Sequence, residues 1–221
     1  MSIAVWLKFR LRRALMGITV PENPVFDCEA STSWFAAELS RVDSYVEYGS
    51  GGSTVLAASL AVPFATCDSD KDFLSAVQRK IHFLGYASPG RQIFRYARIG
   101  PVTHWGTPLI TNPRSQRRLQ MFRRYSEPPC NAEWLKGDVL VLVDGRFRVA
   151  CALKIAQALS HLRMRYSIVV DDYTTNDSYK CLEQHLCLKQ RVGRMAVFGD
   201  SILSNEQHLG NAIGEYELDW R

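Results

Sequence analysis

The stretch Glu47-Tyr48-Gly49-Ser50-Gly51-Gly52-Ser53-Thr54 decides how the rest of this sequence is read. It closes a short strand-like run, Ser44–Tyr48, and opens a helix-like one, Thr54–Leu60, so it forms a strand, glycine turn, helix unit. Glycines there let a ligand approach the backbone, and the first helical turn offers N–H groups with no intrahelical partner. A P-loop would need Gly-Lys-Ser or Gly-Lys-Thr, and the sequence contains no Gly-Lys dipeptide, which excludes a P-loop and argues against nucleoside triphosphate hydrolysis. A nicotinamide-binding loop would place its third glycine at Thr54 and would not set a carboxylate, Glu47, two residues before the first glycine.

Outward from this unit the same rhythm repeats. Pro63–Cys67 reads as a strand ending at Asp68, Asp70–Leu84 as a helix, and Gln92–Ile99 as a strand. Asp138–Val143 reads as a strand, Val149–Leu162 as a helix and Tyr166–Val170 as a strand. Asn176–Leu186 reads as a helix and Met195–Phe198 as a strand, while the tail has no clear pattern. Upstream, Ser31-Thr32-Ser33 offers caps for a helix through Leu39. Alternating β and α implies a parallel sheet covered on both faces. The 221 residues, 47% hydrophobic and 22% charged, suit one α/β core rather than two. We therefore expect a basic arm or helix over 1–24 and a single domain over 25–221, with a basic insertion at about 104–136.

The glycine unit resembles motif I of the class I S-adenosylmethionine-dependent methyltransferases, acid-x-Gly-x-Gly, through Glu47, Gly49 and Gly51. Asp68 stands at the end of the second strand, where that family uses an acid on the ribose hydroxyls. The resemblance spans about Ser31 to Phe198 and implies a doubly wound, mostly parallel seven-stranded sheet with helices on both faces. It implies S-adenosylmethionine as cofactor, held by Glu47, Gly49, Ser50, Gly51 and Asp68. Glu47 also suits such a ligand on charge, since the ligand carries an ammonium and a sulfonium. A bulky side chain at Gly49 or Gly51 is expected to block the cofactor while sparing the fold. The pattern departs at Arg98-Ile99, where relatives often carry an acid for the adenine amine.

Ligand sites of open α/β sheets lie beyond the carboxyl ends of the strands, which directs attention to Asp144-Gly145-Arg146-Phe147-Arg148 and Asp171-Asp172-Tyr173. Their placement is similar to that in catechol-type O-methyltransferases, which implies Asp144, Asp171 and Asp172 as ligands of Mg²⁺. Arg146 and Arg148 favour a different picture, in which the acids pair with guanidinium groups and Asp144 and Asp172 serve as acid-base or positioning groups. Both readings stay open at this level. His104, followed by Trp105, is a further candidate base at the mouth.

Asn112–Tyr125 carries five arginines and no acid, and Met1–Arg13 four basic residues and no acid, leaving 18 basic against 22 acidic residues elsewhere. The first run reads as a solvated face or an anion-recognising lid, which makes Arg117 and Arg118, with Arg146, candidate substrate-binding groups. The expected function is O-methylation of a small or glycan-like anionic acceptor. The alternative is a non-catalytic cofactor-binding or nucleic-acid-binding protein with the same fold. In the N-terminal segment Ile3, Leu7, Leu11 and Leu15 form an apolar stripe, but Val5 and Phe9 fall on the other side. A helix packed on the domain, an arm and peripheral membrane contact are all compatible with that pattern. With no apolar run long enough to span a bilayer and six cysteines lacking any CxxC pair, a reduced, cytoplasmic protein is expected. Cys181, His185 and Cys187 lack the spacing of a zinc site.

Overall fold

The computed structural model describes residues 3–221. Seven strands, β1 (Ser44–Tyr48), β2 (Phe64–Asp68), β3 (Gln92–Tyr96), β4 (Val139–Val143), β5 (Tyr166–Val170), β6 (Leu186–Val192) and β7 (Met195–Ile202), form one sheet in the order β3-β2-β1-β4-β5-β7-β6. The pairings among β1 to β5 are parallel, whereas β7 runs antiparallel to both β5 and β6. The sheet is thus parallel through its first five strands and closes on an antiparallel hairpin, which the β-α alternation alone does not announce.

Side chains alternate between two cores because successive residues of a strand point to opposite faces. Tyr45, Phe64, Leu140 and Leu142 pack against α2 (Glu29–Leu39), α3 (Gly52–Ser59) and α4 (Lys71–Phe83). Val46, Tyr48, Val141, Val143 and Ile168 pack against α5 (Gln116–Tyr125), α6 (Arg148–His161) and α7 (Glu206–Tyr216). The strands beneath helices on both faces read as near-continuous apolar runs, as β4 does.

Several boundaries differ from expectation for local reasons. Helix α2 begins at Glu29 with Cys28 at its cap, so Ser31 lies inside the helix and is buried. Asp70 caps α4 by accepting from the Phe73 N–H at 3.1 Å. The segment expected as a helix over Asn176–Leu186 is a 3-10 helix, Asp177–Gln184, and Leu186 already belongs to β6. That strand carries Lys189, Gln190 and Arg191 in a row, a charged edge that hides its strand character in sequence. The unassigned tail contains α7, capped by Asn205 on the His208 N–H at 3.0 Å and buried through Leu209, Ala212 and Ile213.

The N-terminal helix α1 (Ile3–Met16) is tied to the loop and helix after β2 by Arg13–Asp70 at 2.5 Å and by the Arg10–Asp72 pair. Phe9, 5% exposed, sets its ring edge-on to His104 with centroids 4.6 Å apart. No helix among the described residues is long and apolar enough to cross a membrane.

Candidate functional site

The glycine loop is held by contacts that explain its composition. Gly49 has φ +101°, donates its N–H to Cys67 O at 2.8 Å, and would place a Cβ only 2.7 Å from the Gly145 nitrogen. Gly145 answers in kind: a Cβ there would lie 2.2 Å from the Tyr125 hydroxyl and 3.0 Å from the Gly49 nitrogen. The loops after β1 and β4 therefore touch backbone to backbone, and Asp144 N–H donates to Tyr48 O at 2.9 Å. Gly52 admits the N-terminal segment, since its Cβ would collide with Asn23 O at 2.0 Å. Gly51 is different, because a Cβ there meets no atom within 4 Å. The expectation that Gly49 and Gly51 are equivalent positions is corrected by these distances.

Glu47 is fully buried beneath the loop. Its Oε1 accepts from the Tyr45 hydroxyl at 3.0 Å and from the Ser53 hydroxyl, and its Oε2 accepts from Thr54 Oγ1 at 2.5 Å. Thr54 Oγ1 in turn accepts from the Gly51 N–H at 2.9 Å, so the carboxylate orders the loop through the helix's first turn. Burial pushes Glu47 up to about 7, against the lowering effect of those hydroxyls. A carboxyl raised in this way stabilises the fold fully below its ordinary pKa and loses that contribution as pH rises through about 7.

Asp68 closes β2. Its Oδ2 accepts from Ser50 N–H at 3.0 Å and Ser50 Oγ at 2.7 Å, and its Oδ1 from Asp70 N–H at 2.8 Å. Three of about four acceptor positions are used, so one remains, and a second is released whenever the Ser50 hydroxyl turns away. Burial raises Asp68 to about 6, partly offset by the Asp70 and Ser50 donors.

Beyond β4 and β5, oxygens of Asp144, Asp171 and Asp172 come within 4.8 Å of one another. The guanidinium of Arg148, 4% exposed, is lodged among these residues, with Nη2 at 3.0 Å from Asp144 Oδ1 and 3.3 Å from Asp172 Oδ2. Its Nε donates to Gly145 O at 3.1 Å and its Nη1 to Asp171 O. Arg194 reaches Asp172 Oδ1 from the other side at 3.4 Å. Desolvation pushes Asp144 upward, Arg148 pulls it down, and the neighbouring acids push it up again. Asp171 is also raised by burial, and its buried Oδ1 has no hydrogen-bond partner. Asp172 and Phe147, each at φ +55°, occupy the left-handed region just past the strand ends, a costly conformation that clusters at functional sites.

The remaining candidates separate. Arg146 lies beside Gly106, and its Nε is buried without a partner. His104 sits against Phe9, while Trp105 is 87% exposed at φ +58°. Arg117 lines a groove of about 510 Å³ between the β3 edge and α5, with Arg95, Arg98 and Arg124, and Arg118 is exposed elsewhere on α5. Cys181 donates to Ser178 O at 3.1 Å and His185 Nδ1 contacts Ser204 Oγ at 3.0 Å, while Cys187 lies on β6, so these three do not converge. Of the alternatives the sequence leaves open for the N-terminal segment, α1 is a helix packed on the domain, through Arg13 on Asp70 and Phe9 on His104.

The sheet order and the glycine loop define the fold of the class I S-adenosylmethionine-dependent methyltransferases. A methyltransferase-like protein from Silicibacter pomeroyi superposes with a TM-score of 0.69 at 23% identity, over 90% of this chain and all of that one. A methyltransferase from Geobacter sulfurreducens matches with a TM-score of 0.45 at 13% identity, covering 92% of this chain and 91% of its own. The N-terminal domain of human METTL16, in complex with SAH, matches with a TM-score of 0.44 at 11% identity, covering 91% and 82%. No protein-family model matches the sequence, and no curated protein is significantly similar to it.

Proposed function

We propose that the chain is an S-adenosylmethionine-dependent methyltransferase acting on an oxygen of a small or glycan-like anionic acceptor. The observation that carries this reading is the open side of Gly51, next in the chain to Ser50 on the Asp68 carboxylate, in a loop whose Gly49 packs on Gly145 between Asp144 and Arg146. The chemistry supplied by the bound cofactor is an electrophilic sulfonium methyl. Asp68, ionised, accepts from the ribose hydroxyls, and Glu47 below the loop, in its ionised form above about pH 7, favours a cationic ligand above it. Arg146, with its unpartnered Nε, takes the anionic group of the acceptor, and Arg117 and Arg118 remain outer candidates for the same role. We assign removal of the acceptor's proton to Asp144, whose carboxyl is pushed by burial and the neighbouring acids toward the neutral range where a general base works best. Asp172 positions it through Arg148, and His104 stands by as a base at the mouth.

Mg²⁺ does not fit the acids as they stand. The Arg148 guanidinium already neutralises Asp144 and Asp172, and a divalent ion between them would be repelled at close range. No step here runs through a metal.

Calorimetric titration with S-adenosylmethionine tests the site. Gly51→Val is expected to weaken binding by about a hundredfold or more while its melting curve stays close to wild type, because the added side chain fills only the ligand's space. Unchanged affinity in that variant would sink the site. Asp68 gives an independent check through pH. The ionised carboxylate accepts ribose hydroxyls and the protonated one cannot accept at the same oxygen, so affinity should fall as pH drops through about 6. Between pH 7 and 5 the loss should approach tenfold, about one pH unit of proton competition below that pKa. Asp68→Asn should bind more weakly and lose this pH step. A variant that kept the step would move the titrating group elsewhere.

A further inference from the structure

Helix α1 has two faces with different fates. Its inward face is spent on the domain through Phe9 and Arg13, while Arg10 reaches Asp72 from the flank. At 3.6 residues per turn, Ile3, Leu7, Leu11 and Leu15 fall on the opposite face, and each is more than half exposed. The apparent irregularity of the sequence pattern is therefore two stripes, one docked and one bare. A row of four large aliphatic side chains in water is costly and marks an interaction surface. The helix contains no acid, and Lys8 and Arg12, beside the stripe, pair with no acid among the described residues. Next to His104, which touches the docked face of the same helix, Trp105 projects its indole into solvent from a left-handed backbone. An apolar stripe flanked by cations is the composition of a surface that seats at the lipid headgroup boundary, and the exposed Trp105 offers a further interfacial side chain.

We propose that the outward face of α1 docks on an anionic lipid bilayer, with Trp105 as a second anchor, bringing the mouth of the site to the membrane surface. Charge decides between lipid and a second copy of the chain. Two copies meeting stripe to stripe would bring their Lys8 and Arg12 cations together with no acid on either helix to relieve them, whereas anionic headgroups complement them. This docking stands independently of the methyl-transfer reading, since no residue of the stripe is assigned to the site.

Co-sedimentation of the full chain with vesicles of phosphatidylcholine alone, or of phosphatidylcholine with phosphatidylserine, tests it. Binding is expected to the phosphatidylserine vesicles, to weaken with salt, and to fall by roughly tenfold or more in the double variant L7E/L11E. K8A/R12A, which leaves the stripe intact, should lose the preference for phosphatidylserine, and the shift of tryptophan emission to shorter wavelength on binding should be smaller in W105F, which keeps the other four tryptophans. Equal binding to both vesicle types, or binding by L7E/L11E at wild-type strength, would overturn the proposal. So would a wild-type dimer in sedimentation equilibrium that L7E/L11E converts to monomer, since the stripe's partner would then be a second copy. The S-adenosylmethionine affinity of the variants, expected to be unchanged, separates this test from that of the site.

Discussion

Gly49→Ala is expected to cost the fold at least about 3 kcal/mol, a large fraction of the stability of an ordinary domain. Two causes add. At φ +101° a side chain is strained whatever its surroundings, and the Cβ would lie 2.7 Å from the nitrogen and 2.8 Å from the Cα of Gly145. Those neighbours are backbone, pinned by Gly49 N–H to Cys67 O and Asp144 N–H to Tyr48 O, so neither loop can yield without breaking a hydrogen bond. In a chain of this size the melting temperature should drop by roughly 6–12 °C. Thermal and urea unfolding of the ligand-free protein measure it directly. A Gly49→Ala protein within about 1 kcal/mol of wild type would mean that the two loops are not in contact in solution.

Arg148→Met should be nearly as damaging and should reveal what the guanidinium replaces. Without it, Asp144, Asp171 and Asp172 face one another with Arg194 on Asp172 and Arg146 acting on Asp144 without an ion pair, and an undercompensated buried charge is strongly destabilising. Solvent reaches Asp144 and Asp172, whose side chains are 40% and 37% exposed, which holds the expected loss to about 2–3 kcal/mol. The carboxylates freed by the variant then offer oxygen ligands to a divalent ion. Added Mg²⁺ should raise the melting temperature of Arg148→Met and leave that of wild type unmoved, and a chelator should not affect wild type. If millimolar Mg²⁺ stabilised the wild-type protein as much as the variant, the acids would be a metal site after all, with Arg148 moving aside.

The sequence makes the site's backbone legible because its constraints are local. Glu47, Gly49 and Gly51 declare a turn after a strand, Asp68 lies at the end of the next strand, and β4 is apolar throughout, so these elements need no knowledge of their partners. What escapes depends on distant neighbours. Nothing near Gly49 reveals that its Cβ would strike Gly145, nor that Glu47 is sealed beneath hydroxyls from Tyr45, Ser53 and Thr54. Whether Asp144, Asp171 and Asp172 pair with a guanidinium or stand free for a cation depends on where Arg148 points, which spacing does not encode. Strand β6 and helix α7 were obscured for a different reason. One is a charged edge and the other is buried along a narrow stripe, so neither carries the strong apolar period that marks the sheet's centre.

The contact between the loops after β1 and β4 also bears on the order in which the molecule is assembled. Asp43 and Asp138, which open these two neighbouring strands, are 95 positions apart in the chain. Bringing them together means closing a long loop before any of the central pairing is gained, which slows folding in proportion to the non-local character of the sheet. Since Gly49 takes its position against Gly145, the glycine loop acquires its final shape only when this late pairing is made. During synthesis, strands β1 to β3 and their helices leave the ribosome with the glycine loop unfinished, and its packing partner Gly145 arrives only with the loop after β4.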